Sequence, residues 1–166
     1  MSERLNYADA APGAYQAMLG IETYVRGCGL ERSLLELMKV RASQLNGCAY
    51  CLDMHCKDAR AAGESEQRLD LLAAWREAPC YSARERAALA WTEALTPLGP
   101  RGVPDDVYEE ASGLFTAPEL GNLAMVVIAI NGWNRLAIAF RSPEPGSYVA
   151  RQRVGPAPVG GVPPGT

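Results

Sequence analysis

From Pro12 to Phe140 no stretch alternates apolar and polar residues for long, and Ala, Leu, Glu and Arg dominate. A half-buried strand repeats every two residues and a helix every 3.6, so this stretch can bury an apolar face only as helices. The expected fold is therefore all-α, a single-domain bundle of about six to seven helices. A chain of 166 residues fits one domain, and 48% apolar residues suffice for a core without metal or disulfide staples.

Punctuation places the helices. Pro12 is preset for a first turn, and Gly27 and Gly29 end the helix that it opens, near Val25. A second helix, about Glu31 to Leu45, sets Leu34, Leu35, Leu37, Met38, Leu45 and the stem of Arg41 on one broad apolar face. Asn46-Gly47 signals a tight turn. A third helix runs from near Cys48 to about Ala62, where Gly63 suits a left-handed stop, and a fourth spans roughly Ser65 to Trp75. Ser82-Ala-Arg-Glu85 and Thr116-Ala-Pro-Glu119 are capping boxes, opening helices to about Leu95 and Phe140. Pro104-Asp105-Asp106 opens a shorter helix to Leu114, because acids suit the positive end of the dipole. These signals assign residues 1–141 to the helical domain and 142–166 to a tail rich in proline and glycine.

Sixteen Lys plus Arg against nineteen Asp plus Glu give a net charge of −3, without the basic excess that nucleic acid or an anionic membrane requires. Neither is an expected partner. The longest uncharged apolar run, Leu123 to Ile130, is eight residues, far short of a membrane span. The amino terminus lacks the basic start and apolar run of a secretory signal, so the cytoplasm is the expected compartment. The same apolar run and the Tyr15, Met18 and Leu19 face exceed what one core of this size covers, which predicts a homo-oligomer.

Five cysteines cannot all pair within one chain, so their spacing carries the information. Cys48-Ala-Tyr-Cys51-Leu-Asp-Met-His55 puts Cys48, Cys51 and His55 at i, i+3 and i+7, on one helix face. His55 is the chain's sole histidine. A Cys-x-x-Cys pair at a helix start suits redox chemistry, because free N–H groups and the positive dipole end stabilise thiolate. The spacing also lets a sulfenic acid on one cysteine condense with the other before over-oxidation. If Asn46-Gly47 joins two antiparallel helices, Glu36 lies roughly 14 Å back from the turn and His55 a similar depth beyond it. The two can then face each other, and a carboxylate beside an imidazole orients it for taking a thiol proton.

Other readings of these residues stay open at this point. Cys48 and Cys51 can be two buried cysteines by chance, or Cys48, Cys51, His55 and Glu36 can be four zinc ligands, although roughly 10.5 Å of helix between Cys48 and His55 strains one zinc. Haem attachment fails, because Leu52 stands where histidine is needed. Cys28 and Cys80 read as small hydrophobes, Cys56 as an incidental half-buried thiol on a different face from Cys51, and Tyr50 as a packing residue or a phenolic donor. Asn131, Trp133, Asn134 and Arg135 either line a pocket or cap packing at a subunit interface, the second being favoured because Trp and Arg are common interface anchors.

Glu36, eleven residues, then Cys48-x-x-Cys51-x-x-x-His55, with Asn46-Gly47 before it, resembles the AhpD-like alkylhydroperoxidases of the carboxymuconolactone decarboxylase superfamily. Ser82-x-Arg-Glu-Arg86 and Asn131-Gly-Trp-Asn-Arg135 extend the likeness over most of the helical part. The resemblance implies a helical bundle assembled as trimers or hexamers, and thiol-dependent reduction of hydroperoxides with no cofactor and no metal. It implies Cys51 as the peroxidatic thiol, Cys48 as the resolving thiol, and Glu36 and His55 as a proton relay. It also implies a dihydrolipoyl or thioredoxin-like donor that returns the dithiol. Helix electrostatics alone would favour Cys48 as nucleophile, whereas Cys51 is one turn from His55. The best-known members carry a second histidine immediately before the second cysteine, where this chain has Tyr50, a poor base at neutral pH. A lactone-type or decarboxylase activity of the same superfamily does not need the cysteine pair. A redox-sensing helical oligomer would use that pair without turnover.

Overall fold

In the computed structural model, which describes residues 2–150, eight α-helices follow one another and no strand occurs among the described residues. They are α1 (Tyr7–Ala10), α2 (Pro12–Gly27), α3 (Arg32–Asn46), α4 (Ala49–Ala61), α5 (Glu66–Leu71), α6 (Ala83–Leu95), α7 (Asp105–Leu114) and α8 (Ala117–Phe140). The count exceeds the expected six to seven by the four-residue α1, which Asn6 caps by accepting from the N–H groups of Ala8 and Asp9. Residues 151–166, most of the expected tail, lie outside the described residues.

The caps behave as their chemistry dictates. Ser82 Oγ accepts from the Glu85 N–H at 3.2 Å, and Glu85 returns a carboxylate oxygen to the Ser82 N–H at 2.8 Å. The N–H of Thr116 donates to Glu119 at 2.8 Å. The expected helix from Ser65 to Trp75 is a correction: α5 stops at Leu71 and a 3-10 turn, Leu72–Ala74, follows. In that tighter turn residues three apart eclipse, so Leu72 and Trp75 both enter the core with Leu37, Val40, Tyr81 and Leu89.

Helix α3 is the centre, packed by α4, α6 and α8. Its apolar face holds Leu34, Leu35, Leu37 and Met38 as expected, but Leu45 is 40% exposed, because α3 ends one residue later and its last turn leaves the core. Arg41 lays its guanidinium on Glu93 at 2.7 Å. The opposite side of the bundle is one apolar cluster of α2, α3, α6, α7 and α8, including Val25, Met38, Trp91, Phe115 and Leu123.

The 24-residue α8 corrects the reading from run length: by length and composition it is apolar enough to cross a membrane. Here it is a core helix that tolerates Asn131 and Asn134 in its buried face because both are hydrogen-bonded. The Tyr15 and Met18 face, read as surplus, is occupied within the chain. The Tyr15 ring meets Trp133 edge-on at 5.9 Å, and Met18 lies so close to Gly132 that a Cβ there would come within 2.6 Å of its methyl group.

Carboxylates tie the helices together. Glu93 accepts from Trp75 Nε1 at 2.8 Å and pairs with Arg41 and Arg76; Glu85 pairs with Arg68. Burial would raise both acids, yet these donors hold both below the ordinary value of 4.5. Acids depressed in the folded state contribute stability above their unfolded pKa and lose it as pH falls through the folded one. The thermal midpoint is therefore expected to be level near neutrality and to fall once the pH drops below about 4.5. Glu93→Gln should cost about 1–3 kcal/mol at pH 7 and progressively less as the pH falls below about 4.5, as scanning calorimetry can read.

Candidate active site

The site is built on the α3–α4 hairpin. Gly47 takes φ 68°, the left-handed conformation that closes α3, and the Cys48 N–H returns to Ser43 O at 3.0 Å. Asn46 pins the turn to α8 by donating to Asn131 Oδ1 at 2.7 Å and Asn134 Oδ1 at 2.8 Å. Asn134 in turn donates to Ser43 Oγ at 3.1 Å. Asn131 and Asn134 thus tie α8 to the hairpin within the chain, a role the sequence reading did not assign, and the part of Ser43 and Asn46 was missed as well. Arg135 donates back to Asn131 within α8.

Cys48 is the N-cap of α4 with an extended backbone, and Cys51 sits in the first turn. They form a disulfide, with Cα atoms 5.4 Å apart. Each is 1% exposed, enclosed by Ala42, Ile130, Ala137 and the flank of Tyr50. In this state the sulfurs are bonded to each other and are not free thiolate ligands, which takes two members from the zinc set considered above.

One turn beyond Cys51, His55 is 5% exposed and its Nδ1 lies 2.9 Å from Glu36 Oε2. Equal depth on two antiparallel helices thus brings the two together. Glu36, 8% exposed, would be pushed up by burial, but the hydrogen bond and charge of His55, then Lys39 and Arg32, hold it below the ordinary carboxylate range. Lys39 is itself buried and pairs with Glu22 at 2.7 Å.

Two residues of this neighbourhood escaped the sequence reading. An Asp58 carboxylate oxygen, a Glu36 oxygen and a His55 ring nitrogen all lie within 4.8 Å of one another. Within this group the hydrogen bond joins Glu36 to His55 Nδ1, while Asp58 is bonded outside it. Tyr148, from the stretch assigned to the tail, reaches back and donates its hydroxyl to Asp58 at 2.8 Å. Lys57 binds the Tyr148 carbonyl at 2.8 Å and Asp53 at 2.7 Å. Asp58 was within reach of sequence reasoning, being three residues after His55 on the same helical face; nothing local marked Tyr148.

The remaining cysteines are as read. Cys28 packs against the larger core cluster and Cys80 against the cluster around Trp75. Cys56 also faces the latter, away from the disulfide, and burial pushes its thiol up. Burial, with Tyr15, Asp53 and Asp58, likewise raises the Tyr50 phenol, which therefore does not replace a basic histidine.

Residues 12–94 match the carboxymuconolactone decarboxylase family. An uncharacterized Bacillus subtilis protein, YdfG, is 40% identical over 139 residues, spanning 84% of this chain and 95% of that one. The chain belongs to the carboxymuconolactone decarboxylase family. Within it the fold is AhpD-like. A solved structure from Agrobacterium tumefaciens, a protein of unknown function with a provisional AhpD antioxidant-defence description, superposes with a TM-score of 0.83 at 44% identity. It covers 87% of this chain and 99% of that one. A peroxidase-related protein from Silicibacter sp. TM1040, itself uncharacterized, shares the fold at 23% identity with a TM-score of 0.67, over 76% of this chain and 67% of that one.

Proposed function

We propose that this member of the family is a thiol-dependent peroxidase acting on alkyl hydroperoxides. The observation that carries the reading is a Cys-x-x-Cys disulfide in the first turn of α4 with a buried Glu36–His55 pair one turn behind it. In the reduced protein His55 takes the proton of Cys51, oriented for this by Glu36. The Cys51 thiolate attacks the outer peroxide oxygen, the O–O bond breaks, and the alkoxide leaves as alcohol with the proton from His55. Cys48 then attacks the sulfenic sulfur of Cys51, the S–S bond forms and water leaves. A dihydrolipoyl or thioredoxin-like dithiol returns two electrons and two protons. The likeness to the Agrobacterium protein supports this reading, as does the presence of a cysteine pair that a decarboxylase would not need.

The near-complete burial of both sulfurs favours, as a second reading, a sensor that changes state without turnover. One equivalent of organic hydroperoxide added to reduced protein should remove two thiols and two protons in mass, joining Cys48 to Cys51. Repeated turnover with a dithiol donor then separates enzyme from sensor. Accumulation of sulfinic acid on Cys51 with Cys48 still reduced would overturn the resolving role. We also propose a trimer or hexamer, since Ile128 is 55% exposed beside a groove lined by Leu98, Gly132 and Arg135.

A further inference from the structure

We propose that Asp58, held in place by Tyr148, is a positioning residue for His55: a second carboxylate that stands with Glu36 beside the imidazole and favours it as proton acceptor for Cys51. The inference rests on the relay reading above. Its basis is geometric. Glu36 occupies one ring nitrogen at 2.9 Å, so one carboxylate already satisfies the orienting role. The chain nevertheless brings a second carboxylate oxygen within 4.8 Å of both partners. Two anions that close disfavour each other unless a cation forms beside them, and the imidazolium created when His55 takes the thiol proton is that cation.

Asp58 is also fixed rather than free. The Tyr148 hydroxyl donates to it, and the Tyr148 carbonyl is held by Lys57 from the adjacent position of α4. The bond to Tyr148 satisfies one lone pair while leaving the charge in place, so the strap sets where the charge sits. This second carboxylate stands in a chain whose residue before Cys51 is a phenol, not an imidazole.

The other charged or titratable groups around His55 do not substitute for it. On α3, Lys39 and Arg32 act on Glu36, and Lys39 is committed to Glu22. On α4, Asp53 and Lys57 pair with each other. From α2, Tyr15 approaches Tyr50. Ile130 and Ala137, which α8 places against the disulfide, carry no charge.

The test is the rate at which iodoacetamide alkylates Cys51 in the reduced full-length protein, followed by peptide mass mapping from pH 5 to 9. Asp58→Asn keeps an acceptor for Tyr148 but removes the charge. It should slow alkylation at pH 7 by about threefold to tenfold and move the midpoint of the profile upward. Tyr148→Phe keeps the charge and loses only the tether, so its effect should be smaller, and Asp58→Glu should recover part of the loss. A purely structural anchor would lower thermal stability in Asp58→Asn without moving the profile, and that result overturns the inference. His55→Ala is the control for the premise: if it leaves Cys51 reactivity unchanged, the relay reading itself fails and the inference with it. If His55→Ala slows alkylation and Asp58→Asn does not, the inference alone fails.

Discussion

Cys51→Ser is expected to abolish hydroperoxide turnover, lowering kcat/KM by about a thousandfold or more, whereas Cys48→Ser should preserve the first reduction and block every later one. The asymmetry follows from the start of α4. Cys48 is the N-cap and Cys51 lies one turn in, so both feel the positive end of the helix. Only Cys51 stands at i to i+4 from His55, which Glu36 holds at 2.9 Å. A serine at 51 puts a hydroxyl, far less acidic than a thiol, where the attacking thiolate is needed. A serine at 48 leaves the attacking sulfur intact, so one peroxide is reduced and a sulfenic acid remains with no partner. Single-turnover kinetics with cumene hydroperoxide, and dimedone trapping of the sulfenic acid, read both outcomes. If Cys48→Ser loses the first turnover and Cys51→Ser keeps it, the order of the two cysteines is reversed.

Glu36→Gln and His55→Ala should each lower peroxide turnover by about a hundredfold, and combining them should cost little beyond the worse single change. Gln keeps the size and a hydrogen-bonding oxygen but removes the charge that faces the imidazolium. His55→Ala removes the proton acceptor altogether. Two groups bonded at 2.9 Å in a buried setting, acting on one proton, form a unit in which either loss disables the other. A double-mutant cycle in the same assay measures this directly. Losses that multiply in full would mean that the residues act separately, and the relay would have to be abandoned.

Much of this arrangement was legible in the sequence because its determinants are local. The capping pairs Ser82 with Glu85 and Thr116 with Glu119 mark helix starts within four residues, and Gly47 marks the turn between α3 and α4. Once the turn is known, equal depth on two helices places Glu36 against His55 by arithmetic alone. What escaped depends on contacts between distant parts of the chain. Leu45 looks like its apolar neighbours until the end of α3 is located, and the tight turn at Leu72 exists because Leu72 and Trp75 share a core with Leu37 and Leu89. Asn131 and Asn134 find their partner Asn46 across 85 and 88 positions. Tyr148 reaches Asp58 across 90.

That division between near and far contacts also orders the assembly of the molecule. The Glu36–His55 bond closes across only 19 positions and needs nothing beyond the hairpin, so loop closure places it among the early contacts. The walls around the sulfurs arrive later, because Ile130 and Ala137 belong to the last helix. During synthesis the hairpin emerges some eighty residues ahead of those walls, carrying a dithiol beside its base with no cover on the α8 side. If the hairpin forms before α8 docks, its thiols lie beside Glu36 and His55 without the cover that Ile130 and Ala137 supply, open to any oxidant or wrong cysteine nearby. Docking of α8 through Asn46 ends that exposure.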